Sequence, residues 1–265
     1  MRSLSIGATG MLAQQLNVEV ISNNIANMTT TGFKRQRAEF QDLLYDNQKR
    51  PGAQSSEIGT TLPSGVQLGA GVKAGGVYRI NEQGAMQMTE NPMDVAIKGN
   101  GFFQVTMPDG TTAYTRAGSF QVSGAPANIG SIVTPQGYPV VGPSPISQEA
   151  TAVTINDAGE VFVKLAGQTA EQAAGQFQMV TFQNPAGLEA IGDNLFTATS
   201  ASGQPVTGTA GQSGVGTILQ GALESSNVNV VNEITNLITA QRAYEMNSKV
   251  IKTSDEMMGT TSQLR

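Results

Sequence analysis

The segment NNIANMTTTGFK, residues 23–34, ends a helical pattern that carries almost no charge. Before it, apolar and small polar residues recur at steps of four and three, which is the spacing of one helical face. Only Arg2 and Glu19 are charged in the first 30 residues. Within the segment the periodicity stops at a run of threonines followed by Gly32. The segment therefore predicts the end of an N-terminal helix whose long surface has almost no charge to keep it in water.

Both ends of the chain carry a helical face of this kind. On the N-terminal helix, the face and a strip beside it comprise Leu4, Ala8, Met11, Leu12, Leu16, Val18 and Ile25. On the C-terminal helix, the same stepping gives Val230, Ile234, Leu237, Tyr244, Ile251 and Met258. Each face also places a Gln and a Ser at matching positions, and a polar residue in an apolar seam can select one alignment of helices. Periodicity by itself favours a plainer alternative, in which the two helices simply pack together in an ordinary domain.

The free energy available to these helices is small. Burial of a large apolar side chain stabilises a fold by roughly 1.5–3 kcal/mol, and the N-terminal face holds few large side chains. Ordering the backbone of each residue costs on the order of 1–2 kcal/mol before helix hydrogen bonds offset part of it. Leu12, Leu16 and Val20 form a second apolar strip, which a single partner helix would leave exposed. We therefore expect each helix to need several neighbours.

Between the two ends, short alternating runs are separated by Gly, Pro, Asp and Asn, which is typical of strands and turns. The expected strands are 94–97, 102–106, 112–115, 119–122, 152–155, 161–165, 176–182 and 195–199. Residues 107–110 and 156–159 predict hairpin turns. Because turns recur roughly every 8 to 12 residues, the sequence predicts an all-β domain, which we place at 76–225.

The rest of the chain divides around that domain. We expect paired terminal helices at 1–30 and 226–265, and a connector at 31–75. Within the connector, residues 46–65 have little periodicity and many Gly, Pro and Ser residues, which predicts a flexible link. An ordinary surface loop is the open alternative, although structureless segments of this length are uncommon in compact domains and are often functional.

The composition excludes several classes of protein. The chain has no Cys and no His, so it lacks thiolate chemistry and the commonest metal ligand and general base. A net charge of −5 with scattered basic residues argues against nucleic-acid binding. The sequence shows no membrane-spanning run, cleavable signal pattern, phosphate-binding loop or nucleophile elbow. We expect no enzymatic activity, no metal, no cofactor and no membrane insertion.

Paired carboxylates could still support glycoside hydrolysis, which needs only two acids that flank the scissile bond. The candidates are Asp94, Asp109, Asp157 and Asp193. Asp109 and Asp157 lie next to or near glycines in the expected turns, where an Asp side chain accepts backbone hydrogen bonds. We therefore interpret these two as turn residues rather than as catalytic acids.

Three sequence blocks resemble the rod and hook axial proteins of the bacterial flagellum. They are residues 23–45, residues 94–103 together with 114–120, and residues 224–245. The blocks occur in order across nearly the full chain, which makes the combination specific, whereas one block alone would be shared by every rod and hook protein. The segments RPGAQSS at 50–56 and LPSG at 62–65 resemble an insertion of the distal rod subfamily.

The resemblance implies a mixed, mainly β fold. A discontinuous coiled-coil layer of the N- and C-terminal helices would line a tube, with an extended β-hairpin-like connector and the all-β domain outside it. The two helical faces would make the self-assembly contacts. The helix-exit junction would involve Asn27, Gly32 and Phe33, because Gly32 permits a turn and Phe33 can anchor the exit. The positions that bridge neighbouring subunits would be Pro51, Gly52, Pro63 and Gly65.

The implied function is structural. Such a subunit would polymerise into the tubular distal rod of the flagellar basal body, transmit motor torque to the hook and enclose the export channel. Its expected partners are further copies of itself, other rod and hook proteins at the two ends, surrounding ring or bushing proteins, and the flagellar type III export apparatus. It would span the periplasm after export without a cleavable signal peptide. The alternatives are a hook or proximal rod subunit of the same family and a β-rich protein that binds or hydrolyses glycans.

Overall fold

The computed structural model describes residues 2–52, 64–125, 130–147, 149–168, 170–212 and 214–263. The chain forms two compact units. The first, which we call the helical unit, spans Met1–Ala26, Gln36–Tyr78 and Asn229–Arg265. The second, the β unit, spans Asn27–Arg35 and Arg79–Val228. Both units are therefore discontinuous in sequence, and the chain passes between them several times.

The helical unit contains both long helices. Helix α1 covers Arg2–Ala26 and helix α2 covers Val230–Gln263, and the two pack against each other. Asn229 caps α2, because its side-chain Oδ1 accepts a hydrogen bond of 3.2 Å from the backbone N–H of Asn232. α1 ends at Ala26, three residues before the threonine run at which the sequence predicted its end.

Four strands complete the helical unit. They are β1 (Gln36–Asp42), β2 (Tyr45–Lys49), β3 (Val66–Gly69) and β4 (Val72–Arg79), of which only Arg79 belongs to the β unit. β1 pairs with β4 and β2 pairs antiparallel with β3, so the chain runs out along β1 and β2 and returns along β3 and β4. Every residue of β2 is exposed. Two-stranded ribbons of this kind are marginally stable by themselves in water.

The β unit holds fifteen further strands among the residues that the structure describes. They are β5 (Met86–Met88), β6 (Val95–Lys98), β7 (Phe102–Thr106), β8 (Thr112–Thr115), β9 (Gln121–Val122), β10 (Ile132–Val133), β11 (Ala150–Ile155), β12 (Glu160–Leu165), β13 (Gln172–Gln176), β14 (Met179–Thr181), β15 (Glu189–Gly192), β16 (Leu195–Thr197), β17 (Val206–Gly208), β18 (Thr217–Gln220) and β19 (Ala222–Glu224). The largest sheet has the order β15-β16-β8-β7-β14-β17. Around it lie the three-stranded sheet β11-β12-β13 and the pairs β9–β10, β6–β18 and β5–β19.

The core of the protein lies in the β unit. Alternating residues of β7 point to opposite faces of the large sheet, so Phe103 and Val105 are fully buried while Phe102 and Gln104 are only half-buried. The ring of Phe103 makes edge contacts with those of Phe120 and Phe177, at centroid distances of 5.1 and 5.7 Å. A smaller aromatic cluster covers the opposite face of the sheet.

The mixed, mainly β fold class is confirmed, and the strands predicted in the middle of the chain are present with two errors. The expected strand 119–122 is a strand only at Gln121–Val122, whereas Ser119 forms an isolated bridge with Asp94. The expected strand 176–182 is two strands, because β13 ends at Gln176 in one sheet and β14 begins at Met179 in another. Between them Phe177 turns inward, only 1% exposed, and its N–H donates to the carbonyl of Gly159 at 2.8 Å. The alternating pattern of residues 176–182 therefore did not reveal that the chain changes sheet there.

Candidate assembly surface and helix-exit junction

The buried residues of α1 and α2 are mostly small or polar. The buried residues of α1 are Gly7, Ala13, Val20, Ile21 and Asn24, and those of α2 are Glu233, Ala240 and Ser254. The buried α2 positions recur at steps of seven or fourteen, which matches a helix seam. Glycine, alanine and serine bury little apolar surface, so this interface brings the two backbones close without supplying a large core.

Three contacts fix the direction and register of the helix pair. Asn24 meets Glu233, a Cβ added at Gly10 would lie 2.8 Å from the Asn247 amide, and one added at Gly7 would lie 2.8 Å from Ile251. Residue numbers fall along α1 as they rise along α2, so the helices are antiparallel. The end of α1 and the start of α2 therefore lie at the same end of the pair.

Asn24 is a buried polar residue with its hydrogen bonds satisfied. Its Nδ2 donates to the Gln36 carbonyl at 2.8 Å and to Glu233 Oε2 at 3.2 Å, and its Oδ1 accepts from the Gln36 N–H at 2.8 Å. Asn24 and Glu233 are 1% and 3% exposed. Because an unpaired buried amide or carboxylate would be costly, a slip in helix register is opposed at this point.

The expected self-assembly residues lie mostly beside this seam rather than in it. The half-buried ones are Leu4, Met11, Leu16, Val18, Ile25, Val230, Leu237, Ile251 and Met258. The exposed ones are Ala8, Leu12, Ile234 and Tyr244. Val20, which the sequence placed on a second strip beside Leu12, is buried in the helical unit instead. The placement of Val20 was wrong because residues at helical spacing from Ala13 and Asn24 share their face.

Large apolar side chains remain exposed on both helices. On α1, Leu12 is 67% exposed. On α2, Val231, Ile234 and Ile238 form one group by helical spacing, with Val231 73% exposed, and a second group comprises Met246, Val250 and Met257. Contiguous exposed apolar residues of this kind mark sites of protein association.

The chain leaves α1 through a tight turn in the β unit. The N–H of Thr30 donates to the Asn27 carbonyl at 3.2 Å, and its hydroxyl contacts Asn27 Oδ1 at 3.1 Å. Gly32 has a φ of 69°, and a Cβ there would lie 3.0 Å from backbone atoms of Arg116 and Ala117. Glycine is thus required at position 32 both for its conformation and for space. Phe33 is half-buried.

A buried ion cluster adjoins this turn, and we call it the exit clamp: Lys34, Arg116 and Glu224. Lys34 Nζ lies 2.6 Å from Glu224 Oε1, and Arg116 Nε lies 2.6 Å from Glu224 Oε2. All three side chains are at most 7% exposed. One carboxylate is therefore shared by two cations in an environment where each charge needs a partner.

Backbone carbonyls accept the other hydrogen bonds that Lys34 and Arg116 donate. Arg116 donates to the carbonyls of Ile97, Gly99 and Gly101 at distances between 2.6 and 3.1 Å. Lys34 Nζ also donates to the Glu82 carbonyl at 2.8 Å. These neutral acceptors stabilise the second positive charge, for which the cluster has no second carboxylate.

The surroundings shift the pKa values of two clamp residues, Glu224 and Lys34. Burial alone would raise the pKa of the Glu224 carboxyl, but Arg116 and Lys34 outweigh this through their charges and hydrogen bonds and hold the pKa below its ordinary value. Burial lowers the pKa of the Lys34 amine, an effect that Glu224 opposes.

The clamp is a feature that the sequence did not predict. Lys34, Arg116 and Glu224 each lie in a different one of the three blocks that carry the family resemblance. Charged residues are mostly exposed, so none of them suggested burial. The available signal was the chain's scarcity of charge, because only 13% of its residues are charged and each block contains at least one.

The described connector positions, Pro51, Gly52 and Gly65, lie in the helical unit. Pro51 and Gly52 follow β2, and Gly52 has a φ of 80°. A Cβ at Gly65 would collide with the carbonyl oxygen of Lys49 on the paired strand, so only glycine fits there. Pro63 and most of the expected flexible link fall outside the described residues.

The acidic candidates for catalysis have structural partners. Asp109 accepts from the N–H and hydroxyl of Thr111, and these hydrogen bonds hold its pKa below the usual range. Asp94 is buried and bound by the Thr89 hydroxyl and the Asn91 amide. Asp193 has a φ of 53° in the turn between β15 and β16. Asp157 lies in the turn before Gly159, and its carbonyl accepts from Ile218.

Metal-binding clusters and membrane-spanning helices are absent from the described parts of the chain. There, no three or more carboxylate, imidazole or thiol side chains lie close enough together to hold a metal ion. None of the described helices combines the length and apolar character needed to cross a membrane.

Comparison with known proteins matches all three sequence blocks. A flagella basal body rod protein model matches residues 4–34, the D1 domain model of flagellar hook protein FlgE/F/G matches 96–163, and the C-terminal model of flagellar basal body rod FlgEFG proteins matches 219–264. Each match contains one residue of the exit clamp.

Three relatives that match nearly the whole chain are named flagellar basal-body rod protein FlgG. The relative from Caulobacter vibrioides is 57% identical, with 100% of each chain covered. Those from Agrobacterium fabrum and Bacillus subtilis are 47% and 39% identical, covering 99% and 97% of each chain. With this identity over the full length, the chain belongs to the flagellar basal-body rod protein FlgG family.

Proposed function

We propose that the chain is a structural subunit that self-assembles into the tubular distal rod of the bacterial flagellar basal body. Its relatives are named as basal-body rod proteins, and the structure offers a surface suited to polymerisation. A rod built from it transmits motor torque to the hook and encloses the export channel. Contacts of head-to-tail type, which do not close into a ring, extend as a helical tube.

The observation that carries this proposal is the contrast on α2 between its buried and exposed faces. The buried face offers Glu233, Ala240 and Ser254, whereas Val231 and Met246 are 73% and 69% exposed. In the rod, neighbouring copies cover these apolar side chains, so that α1 and α2 form a coiled-coil inner layer. The predicted self-assembly residues beside the seam contribute the remaining contacts of that layer.

The connector supplies a second contact in this proposal. β1 to β4 form a hairpin-like extension, and apolar side chains along it are exposed, including Leu44 at 87% and Tyr45 at 53%. A neighbouring subunit that covers them stabilises a ribbon that is marginal alone. The connector then bridges subunits near Pro51, Gly52, Pro63 and Gly65.

The remaining parts of the proposal concern location and partners. The rod spans the periplasm within the basal body, and its subunits reach it through the flagellar type III export apparatus. Other rod and hook proteins adjoin its two ends, and ring or bushing proteins surround it. Passage through a narrow export channel requires an extended chain, which is compatible with terminal helices of low independent stability.

The proposal is tested by placing charge on the exposed face of α2. We expect Ile234→Asp combined with Ile238→Asp to abolish filament formation, because both side chains are 45% exposed in the isolated chain and would be buried between copies. The matched control, Ile234→Leu with Ile238→Leu, keeps the face apolar and should assemble. Electron microscopy of purified protein at rising concentration gives the readout. Normal tubes from the double Asp variant would contradict the proposal.

A further inference from the structure

The exit clamp joins parts of the chain that are far apart in sequence. Lys34 follows the turn after α1, Glu224 ends β19 shortly before α2, and Arg116 comes from the segment after β8. The same three segments are matched by three separate family models. The clamp is therefore the place where the separate blocks of sequence meet, inside the β unit.

We infer that Lys34, Arg116 and Glu224 are positioning residues for assembly, which hold together the two points where α1 and α2 leave the β unit. The inference rests on the proposed self-assembly, because its consequence is measured in the tube. It assigns the three charges a role beyond stabilising a core. Their role is to set how close together the end of α1 and the start of α2 lie.

Hydrogen bonds from the backbone and from the Asn227 side chain hold the two exits side by side. The Gly32 N–H donates to the Glu224 carbonyl at 2.8 Å. The Arg35 N–H donates to Asn227 Oδ1 at 2.7 Å, and Asn227 Nδ2 donates to the Ile80 carbonyl at 2.9 Å. All these groups belong to the β unit, so these bonds do not depend on the helix pair.

An ionic cluster suits this task better than an apolar one. Apolar contacts tolerate small slips, whereas a displaced buried carboxylate leaves two cations without a partner. The position of the Glu224 carboxylate is restricted further, because its Oε1 also accepts a hydrogen bond of 2.9 Å from the Gly84 N–H. The cluster therefore permits one alignment of the exit segments.

Holding the exits together also reduces the entropy lost when the helices pair. The chain between α1 and α2 contains the whole β unit and strands β1 to β4, and the entropy lost on closing a loop grows with its length. Because the two exit segments are already adjacent in the folded β unit, the end of α1 and the start of α2 are close together in every subunit before the helices pair. Assembly then starts at lower protein concentration than it would with free exits.

The test removes the clamp while keeping its total charge constant. Lys34→Met combined with Glu224→Gln deletes one positive and one negative charge and leaves Arg116 with its three carbonyl acceptors. The matched control, Lys164→Met with Glu160→Gln, makes the same chemical changes at exposed positions of β12. Glu224→Gln alone leaves two cations unpaired and should destabilise the β unit more than the double variant does.

Two readouts separate positioning from stability. In dilute protein, hydrogen exchange at the Gly32 and Arg35 amides should accelerate by about tenfold or more in the clamp variant, while Phe103 and Val180 in the sheet keep their protection. The concentration needed for tube formation should rise by a similar factor of about ten. The control variant should match the unmodified protein in both measurements.

Each outcome decides the inference. Unchanged Gly32 and Arg35 exchange, or tube formation at the unmodified protein's concentration, would overturn it. Unfolding of the whole β unit in the double variant would also overturn it, because the charges would then be ordinary core elements. If the unmodified protein forms no tubes at all, the proposed function fails instead, and the exchange measurement still reports whether the clamp holds the exits.

Discussion

The two units of this protein are stabilised in different ways. The β unit buries Phe103, Phe120 and Phe177 almost completely, together with many branched apolar residues around them. In the helical unit, the buried apolar residues among those described are Ala13, Val20, Ile21 and Ala240. At about 25 cal/mol per Å² of apolar surface buried, the first of these cores supplies much more stabilisation than the second, and we expect only the β unit to be stable alone. The difference teaches that a chain can complete one unit in the monomer and leave the other to be completed by neighbouring copies.

The largest expected effect comes from the core of the β unit. Phe103→Ala should destabilise that unit by about 3–5 kcal/mol, because it removes a fully buried aromatic ring and leaves a cavity. Ile21→Ala, at a side chain 4% exposed in the helical unit, should leave the same unfolding transition unchanged. Urea unfolding followed by near-UV circular dichroism measures both. Equal destabilisation by the two variants would show that the units form one cooperative structure.

A second comparison separates backbone strain from crowding at the helix exit. Gly110 and Gly32 have φ values of 81° and 69°, but of the two only Gly32 would bring an added Cβ to 3.0 Å from backbone atoms. Gly110→Ala should cost about 1–2 kcal/mol for its left-handed conformation. Gly32→Ala should cost about 1–3 kcal/mol more, for overpacking against Arg116 and Ala117.

The same urea titration of the β unit gives this difference. If the two substitutions lowered the free energy of unfolding equally, the backbone at residue 32 would move away from Arg116 without destabilising the β unit. In that case the turn at Gly32 would be less rigid than its contacts indicate.

The pH dependence of the β unit should report the state of Glu224. Its pKa in the folded protein lies below the ordinary value of 4.5, so the stabilisation is complete above that value and is lost as the pH falls through the folded pKa. We expect stability to be steady from about pH 5 to 7 and to decline in more acidic solution. In Glu224→Gln this part of the acid decline should be absent. An identical acid profile in that variant would show that Glu224 does not titrate with folding.

The smallest effect on the isolated chain is expected on the exposed face of α1. Leu12→Ser should change the stability of the monomer by less than about 0.5 kcal/mol, because the side chain is 67% exposed. The concentration needed for tube formation should nevertheless rise, since the leucine is covered in the tube. Leu12→Met, which keeps the site apolar, serves as the control. If Leu12→Ser lowered the stability of the monomer and left assembly unchanged, Leu12 would contribute to the folded monomer and not to contacts between copies.

Much of the fold could be predicted from local pattern. β7, β8 and the turn at Asp109 follow from alternation and turn chemistry, which act over a few residues. The end of α1 before Gly32 was equally visible. The interactions that form these features are local, so a short stretch of sequence is enough to predict them.

The features that were missed depend on residues distant in sequence. Periodicity identifies apolar residues, but the buried positions of α1 include small ones, so Gly7 and Ala13 are buried while the expected Leu12 is exposed. The clamp was missed for a related reason. Lys34 and Glu224 are 190 positions apart, and nothing local distinguishes a buried charge from a solvated one.

The most direct test of the account is hydrogen exchange of the full chain at a concentration too low for association. We predict that amides within α1 and α2, such as those of Val20 and Ala240, exchange close to the rate of an unfolded chain, while those of Phe103 and Val180 in the β unit are strongly protected. The helix amides should become protected when the concentration is raised and tubes form. Strong protection of both helices in the dilute monomer would contradict the account, because the helical unit would then need no neighbouring copy to complete it.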